Sequence, residues 1–156
     1  MALFGSIAAN ADFSQTTGTA TNDNASAGNI GEWINAAVGL GSGPSLTTAT
    51  PANVTSVSLT AGDWDVRGQV VLEYTSATQS GDGIGSLSGV SATLVGDATD
   101  GYSPVRLTTT TCKVTIPIST KRVSRNGTGS TFLVAQATFT AGTAKASGFM
   151  EARRAR

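Results

Sequence analysis

Histidine is absent from the 156 residues of this chain. It is the side chain that changes charge near neutral pH, and with it go the commonest general base and metal ligand. Ser-His-Asp and Cys-His catalysis and His-ligated zinc are therefore excluded. The one cysteine, Cys112, cannot form an internal disulfide or supply a structural zinc site. It lies in the β-branched run Leu107–Ile116 and reads as a small buried apolar residue, with an intermolecular bridge as the alternative. Charged residues make up 13% and aromatics 6%, the former about half the usual quarter. No apolar run is long enough for a transmembrane helix, so no membrane partner is expected. A net charge of zero argues against a nucleic-acid binder. The start, Met1–Ile7, has no basic residue and only a short apolar patch. It lacks the features of a secretory leader, which predicts synthesis in a cytoplasm.

What the chain does have is 24 Thr, 17 Ser and 19 Gly, with a hydrophobic fraction of 39%. That fraction is too high for a charged disordered chain. Residues 1–45 show no sustained period and read as an extended arm or loops, anchored at Trp33 and Ile34 because a large aromatic in a weakly apolar region has to bury itself. Residues 46–156 read as one domain. Val57 and Leu59 alternate with polar neighbours, and after a turn at Ala61-Gly62-Asp63 come Trp64, Val66, Val70, Leu72 and Tyr74 on one face. Further strands are read over Ile84–Val95, over Val105–Ile118 with Pro117 at an edge or bulge, over Thr131–Thr140, and from Ala144 to about Arg153. Thr131–Thr140 is apolar on both faces. Turn signals separate β-branched runs, and no helical period persists. The fold class expected is all-β: an antiparallel, jelly-roll-like β-sandwich with an N-terminal arm. Its core is expected to hold Trp64, Val66, Val70, Leu72, Phe132, Val134 and Phe139.

The zero net charge hides a polarity. Residues 1–100 carry one basic residue (Arg67) and nine acidic ones, whereas residues 101–156 carry nine basic and one acidic (Glu151). Such a division ties early strands to late ones within one chain, or orients subunits or partners. Arg122 and Arg125 lie in a basic run, Lys121–Gly127, read as a loop without the interleaved aromatics of a nucleic-acid site. With Trp33, Ile34, Arg153, Arg154 and Arg156, they are the candidate interface residues. Asp63 and Asp65 share one side of a strand but are too few for a calcium site; turn capping or pairing with Arg153 and Arg154 is the plainer expectation. Ser80–Gly85 lacks the Lys-Ser/Thr ending of a phosphate loop, and no spacing singles out a catalytic carboxylate pair. No catalytic residue, metal or cofactor is predicted.

Val57-Ser-Leu-Thr-Ala-Gly-Asp-Trp-Asp-Val66, followed by a hydrophobic strand, resembles a motif of small tailed-bacteriophage and prophage structural proteins. Phe132–Phe139, Ala146–Arg156 and Gly31-Glu32-Trp33-Ile34 fit the same pattern, so the resemblance covers roughly residues 30–156. It implies a β-sandwich or jelly-roll domain set around a threefold axis on a virion. The function expected is that of a capsid decoration (cementing) protein: a homotrimer bound outside the assembled head, at the capsid surface, with the major capsid protein as partner. The alternative is a tail-fibre or receptor-binding tip that recognises a host surface glycan. A glycan-cleaving spike is a weaker third reading.

Overall fold

Alternation is cleanest over Gly62–Thr75, and there it produces the longest stretch of buried strand. Trp64, Val66, Val70, Leu72 and Tyr74 are all buried, while Asp65 and Arg67 between them are exposed. The period of two sends one set into the core and the other to solvent. The computed structural model describes residues 24–96, 102–106 and 112–156. Within them the strands are β1 (Trp33–Val38), β2 (Ser45–Leu46), β3 (Ala52–Leu59), β4 (Gly62–Thr75), β5 (Thr78–Ser88), β6 (Ser103–Arg106), β7 (Cys112–Arg125), β8 (Gly129–Thr140) and β9 (Thr143–Arg154).

Two antiparallel sheets result, ordered β1-β9-β4-β7 (with β2 also on β9) and β3-β8-β5-β6. The pairs β1/β9, β3/β8, β4/β7 and β5/β6 are nested. This is a long hairpin wound on itself until β4 also meets β9 and β5 also meets β8. The fold is an all-β antiparallel sandwich of jelly-roll-like form. Trp64, Leu72, Leu87, Ile116, Leu133 and Met150 fill the space between the sheets with almost no exposure. Leu133 enters opposite Gly68, where a Cβ would come within 2.7 Å of the Phe149 carbonyl oxygen. A side chain at position 68 would push β4 and β9 apart.

Several expectations change. The proposed arm of 1–45 contains a sheet strand: β1 pairs along its whole length with β9, from Trp33 opposite Arg153 to Val38 opposite Gly148. Ile34, Ala36 and Val38 are the inward set and pack on the core; the period of two was present, but in side chains too small to stand out. Residues 1–23 of that arm lie outside the described residues. The strand expected over Ile84–Val95 ends at Ser88, whose hydroxyl accepts the Val90 N–H at 3.0 Å and turns the chain. The strand expected over Val105–Ile118 is two elements, β6 and β7. β7 is an edge, as Pro117 predicts, but it continues past a bulge opposite Arg67 to Arg125. The basic run at 121–125 is therefore strand, not loop.

Of the expected core, Trp64, Val66, Val70 and Leu72 are buried between the sheets. Phe139 is half-buried against them, edge-on to Tyr74 with ring centroids 6.3 Å apart. Val134 is buried and Phe132 half-buried, but both alternate with Leu133 and Ala135 and so lie on the outer side of β8. Asn53, the cross-strand partner of Val134, accepts the Ala92 N–H at 2.7 Å and donates to Ser91 Oγ at 2.7 Å. That pins the 89–96 loop beside Val134, on a side where the sequence alone signals a second core face.

Candidate binding face

The outer face of the β1-β9-β4-β7 sheet is built from the polar half of each alternation, and the strand registers fix its rows. Trp33, Arg153, Asp65 and Arg122 stand side by side across the four strands. In the next row come Asn35, Glu151 and Arg67, then Ala37, Phe149, Gln69 and Pro117. Beyond them are Ser147, Val71 and Thr115, then Lys145, Glu73 and Lys113. Trp33 is 44% exposed and Phe149 40%. The middle of the face is thus uncharged, with Phe149, Ala37, Pro117 and Val71 set among Gln69, Ser147 and Thr115, and charged rows bound it on both sides.

At one end the face is concave. Trp33, Asp65, Arg67, Thr120, Glu151 and Arg153 line a groove of about 380 Å³. The Arg67 guanidinium is held through Nε by the Glu151 carboxylate. Asn24 fixes the backbone of Trp33 from the open side: its amide donates to the Trp33 carbonyl at 2.7 Å and its Oδ1 accepts the Trp33 N–H at 2.7 Å. This one side chain satisfies the backbone groups that an edge strand leaves open.

Behind that face, Arg154 is 4% exposed. Its Nε donates to Glu32 Oε2 at 2.9 Å, Nη1 to the Ala61 carbonyl at 2.7 Å and Nη2 to Thr60 Oγ1 at 2.5 Å. The guanidinium carbon stands 4.3 Å from the Trp64 ring centroid. Gly62, at φ +134°, makes room for it, because a Cβ there would lie 2.0 Å from Nη1. Glu32 is also buried and accepts the Gly28 N–H at 2.8 Å. That backbone bond is the main reason its carboxyl sits below the ordinary value; burial opposes the shift, and Arg154 adds to it.

The candidate interface residues therefore separate. Trp33 and Arg153 share the groove. Ile34 faces the core, so the expected Trp33–Ile34 anchor is held by Ile34 alone while Trp33 points outward. Arg154 is enclosed and offers no surface to a partner. Arg122 (2.7 Å) and Arg156 both pair with Asp63, whose carboxylate also accepts from the Ser124 hydroxyl. These three donors, Ser124 first, hold the Asp63 carboxyl far below the usual carboxylate range. The aspartates thus do not act together: Asp63 takes Arg122 and Arg156 rather than Arg153 and Arg154, and Asp65 faces the groove. Among the described residues no three His, Cys, Asp or Glu side chains form a metal-binding group.

Arg125 turns from β7 toward β8. Its Nη2 donates to the Ser130 carbonyl at 2.7 Å and to Thr131 Oγ1 at 3.0 Å, and its buried Nε has no partner among the described residues. With Lys121, Arg122, Ser88 and Thr131 it lines a second hollow of about 270 Å³. Burial, with Arg125 nearby, lowers the pKa of Lys121. Part of the charge polarity of the sequence is thus spent within the chain, through Glu32–Arg154, Asp63–Arg122, Asp63–Arg156 and Glu73–Lys113. Sequence reasoning missed the Arg67–Glu151 pair and Thr120, because only the strand register brings them beside Trp33.

Comparison with protein-family models, with curated proteins and with solved structures gives no match.

Proposed function

We propose that this chain is a virion structural protein of the decoration type, which binds the outside of an assembled phage head as a homotrimer and clamps neighbouring major capsid proteins. The observation that carries the reading is the outer face of the β1-β9-β4-β7 sheet. Phe149 remains open there, with Ala37, Pro117 and Val71 near it and charged rows at the borders. An uncharged centre with an open aromatic, inside a charged rim, is the anatomy of a protein contact, and a threefold arrangement gives each copy a neighbour to cover it. The internal ion pairs suit the same role, since they stiffen the block that presents the face. The resemblance of residues 57–66, 132–139 and 146–156 to phage structural proteins supplies the virion context.

The test is co-sedimentation of the purified protein with undecorated heads. Binding to heads is expected, and Phe149→Glu is expected to weaken self-association by placing an unpaired charge in the uncharged centre. A protein that binds neither expanded nor unexpanded heads refutes the reading. The alternative, a tail-fibre tip that recognises a host surface glycan, is favoured by one observation: the open indole of Trp33 in a polar groove. Blocking of adsorption by the isolated protein would support it.

A further inference from the structure

We infer that the Trp33 groove is a binding site for an uncharged pyranose sugar. The inference rests on the groove alone and holds wherever on a virion the domain sits. Three observations on this chain converge.

The first is the ring. Trp33 is 44% exposed, whereas the other tryptophan, Trp64, is fully buried. One side of a pyranose is a plate of C–H groups, which stacks on an open indole while its hydroxyls stay in the plane of the sugar. The base of the indole is fixed on both sides, by Asn24 and by the β9 ladder opposite Arg153. Little backbone freedom is lost when a ligand lands on it.

The second is the wall. Asp65, Arg67, Glu151, Arg153 and Thr120 surround the ring. Carboxylates and guanidinium groups are planar and bidentate, and each spans two neighbouring hydroxyls in the way it spans the two oxygens or nitrogens of the other. The Arg67–Glu151 contact holds two of these side chains in place before any ligand arrives.

The third is charge and size. Two carboxylates and two guanidinium groups balance within the groove, so neither a strong anion nor a cation is preferred. Its volume of about 380 Å³ lies in the range of small-ligand sites. An acidic peptide or a phosphate would find a more suitable field in the hollow lined by Lys121, Arg122 and Arg125.

The experiment titrates the full chain with the methyl pyranosides of glucose, galactose, mannose and rhamnose and with N-acetylglucosamine. Binding is read by calorimetry and by the emission of Trp33, which stands apart from that of Trp64 because only Trp33 meets solvent. At least one sugar should bind saturably and shift the emission. Trp33→Ala should abolish binding, Trp33→Phe should retain it, and Arg153→Ala should weaken it about tenfold, the loss of one hydrogen bond to a charged group. Unchanged unfolding midpoints show that the variants are folded. The inference is overturned if none of the five sugars binds saturably, or if Trp33→Ala binds as well as the parent. It is also overturned if Trp33→Ala changes the particle mass in solution, which would mark the groove as a contact between copies. Failure to bind heads would refute the decoration reading and leave this measurement untouched.

Discussion

Removal of the Arg154 side chain is expected to be among the most damaging single changes at this end of the sandwich, and the reason can be worked from its contacts. Arg154→Ala leaves Glu32 buried without its cation, removes donors to the Thr60 hydroxyl and the Ala61 carbonyl, and uncovers one face of the Trp64 ring. Breaking a buried pair from one side costs about 3–5 kcal/mol. At about 2–4 °C per kcal/mol for a chain of this size, the melting point should fall by about 6–20 °C. Trp64 reports the loss, so urea unfolding followed by its fluorescence gives the free energy directly. Glu32→Ala should be similarly damaging.

The double variant should cost less than the sum of the singles by about 1–3 kcal/mol, since neither charge is then stranded. The loss should also depend little on salt, because an enclosed pair is weakly screened. The lowered pKa of Glu32 fixes a direction in pH. Its contribution is present above the ordinary carboxyl value of 4.5 and is lost as pH falls through the lower folded value. The difference in stability between the parent and Glu32→Gln should shrink over that acid range. Additivity of the two alanine variants within about 0.5 kcal/mol would refute the reasoning.

Two further outcomes follow from single atoms and angles. Among the described residues the buried Tyr74 hydroxyl has no hydrogen-bond partner, and burial, ahead of the neighbouring Cys112, pushes its pKa up to about 12. Tyr74→Phe should therefore be neutral or stabilising, by up to about 1 kcal/mol; a loss above that in urea unfolding would reveal a partner for the hydroxyl. The β8–β9 hairpin turns on Ala141 at φ 55° and Gly142 at φ 64°, the pair of positive angles that favours Asn-Gly. Ala141→Asn should raise stability by about 0.5–1 kcal/mol, and an unchanged or lower melting point would count against the turn assignment.

The sequence was most legible where side chains were large. Trp64, Val66, Val70 and Leu72 mark β4 and its inward face by period alone, and Phe132–Phe139 marks β8. The turns at Asn126–Gly127 and Ala141-Gly142 separate strands as their residues suggest, whereas the turn expected at Ala61-Gly62-Asp63 is confined to residues 60–61, since β4 begins at Gly62. What stayed hidden depended on register. β1 carries its inward face on Ile34, Ala36 and Val38, and its largest side chain points the other way. The role of Arg154 was illegible because its partner Glu32 lies 122 positions earlier. Arg153 and Arg154 look alike as neighbours in a basic tail, yet alternation along β9 sends one to the groove and the other beneath the sheet. The groove itself joins residues 33, 65, 67, 120, 151 and 153, a set that exists only once β1, β9, β4 and β7 are aligned.

The nested winding of the strands also bears on the order of events during synthesis. β9, the last strand of the described residues, lies in the middle of its sheet between β1 and β4. Until residue 154 has left the ribosome, β1 has no partner in its sheet, Glu32 has no counter-ion, and one edge of β4 stays unpaired. The early half of the chain cannot settle first and wait. The β1-β9-β4-β7 sheet is completed only by this late, long-range pairing, the kind of closure that makes such topologies slow, and a chain shortened before β9 should behave as an aggregation-prone fragment with open strand edges rather than as a smaller domain.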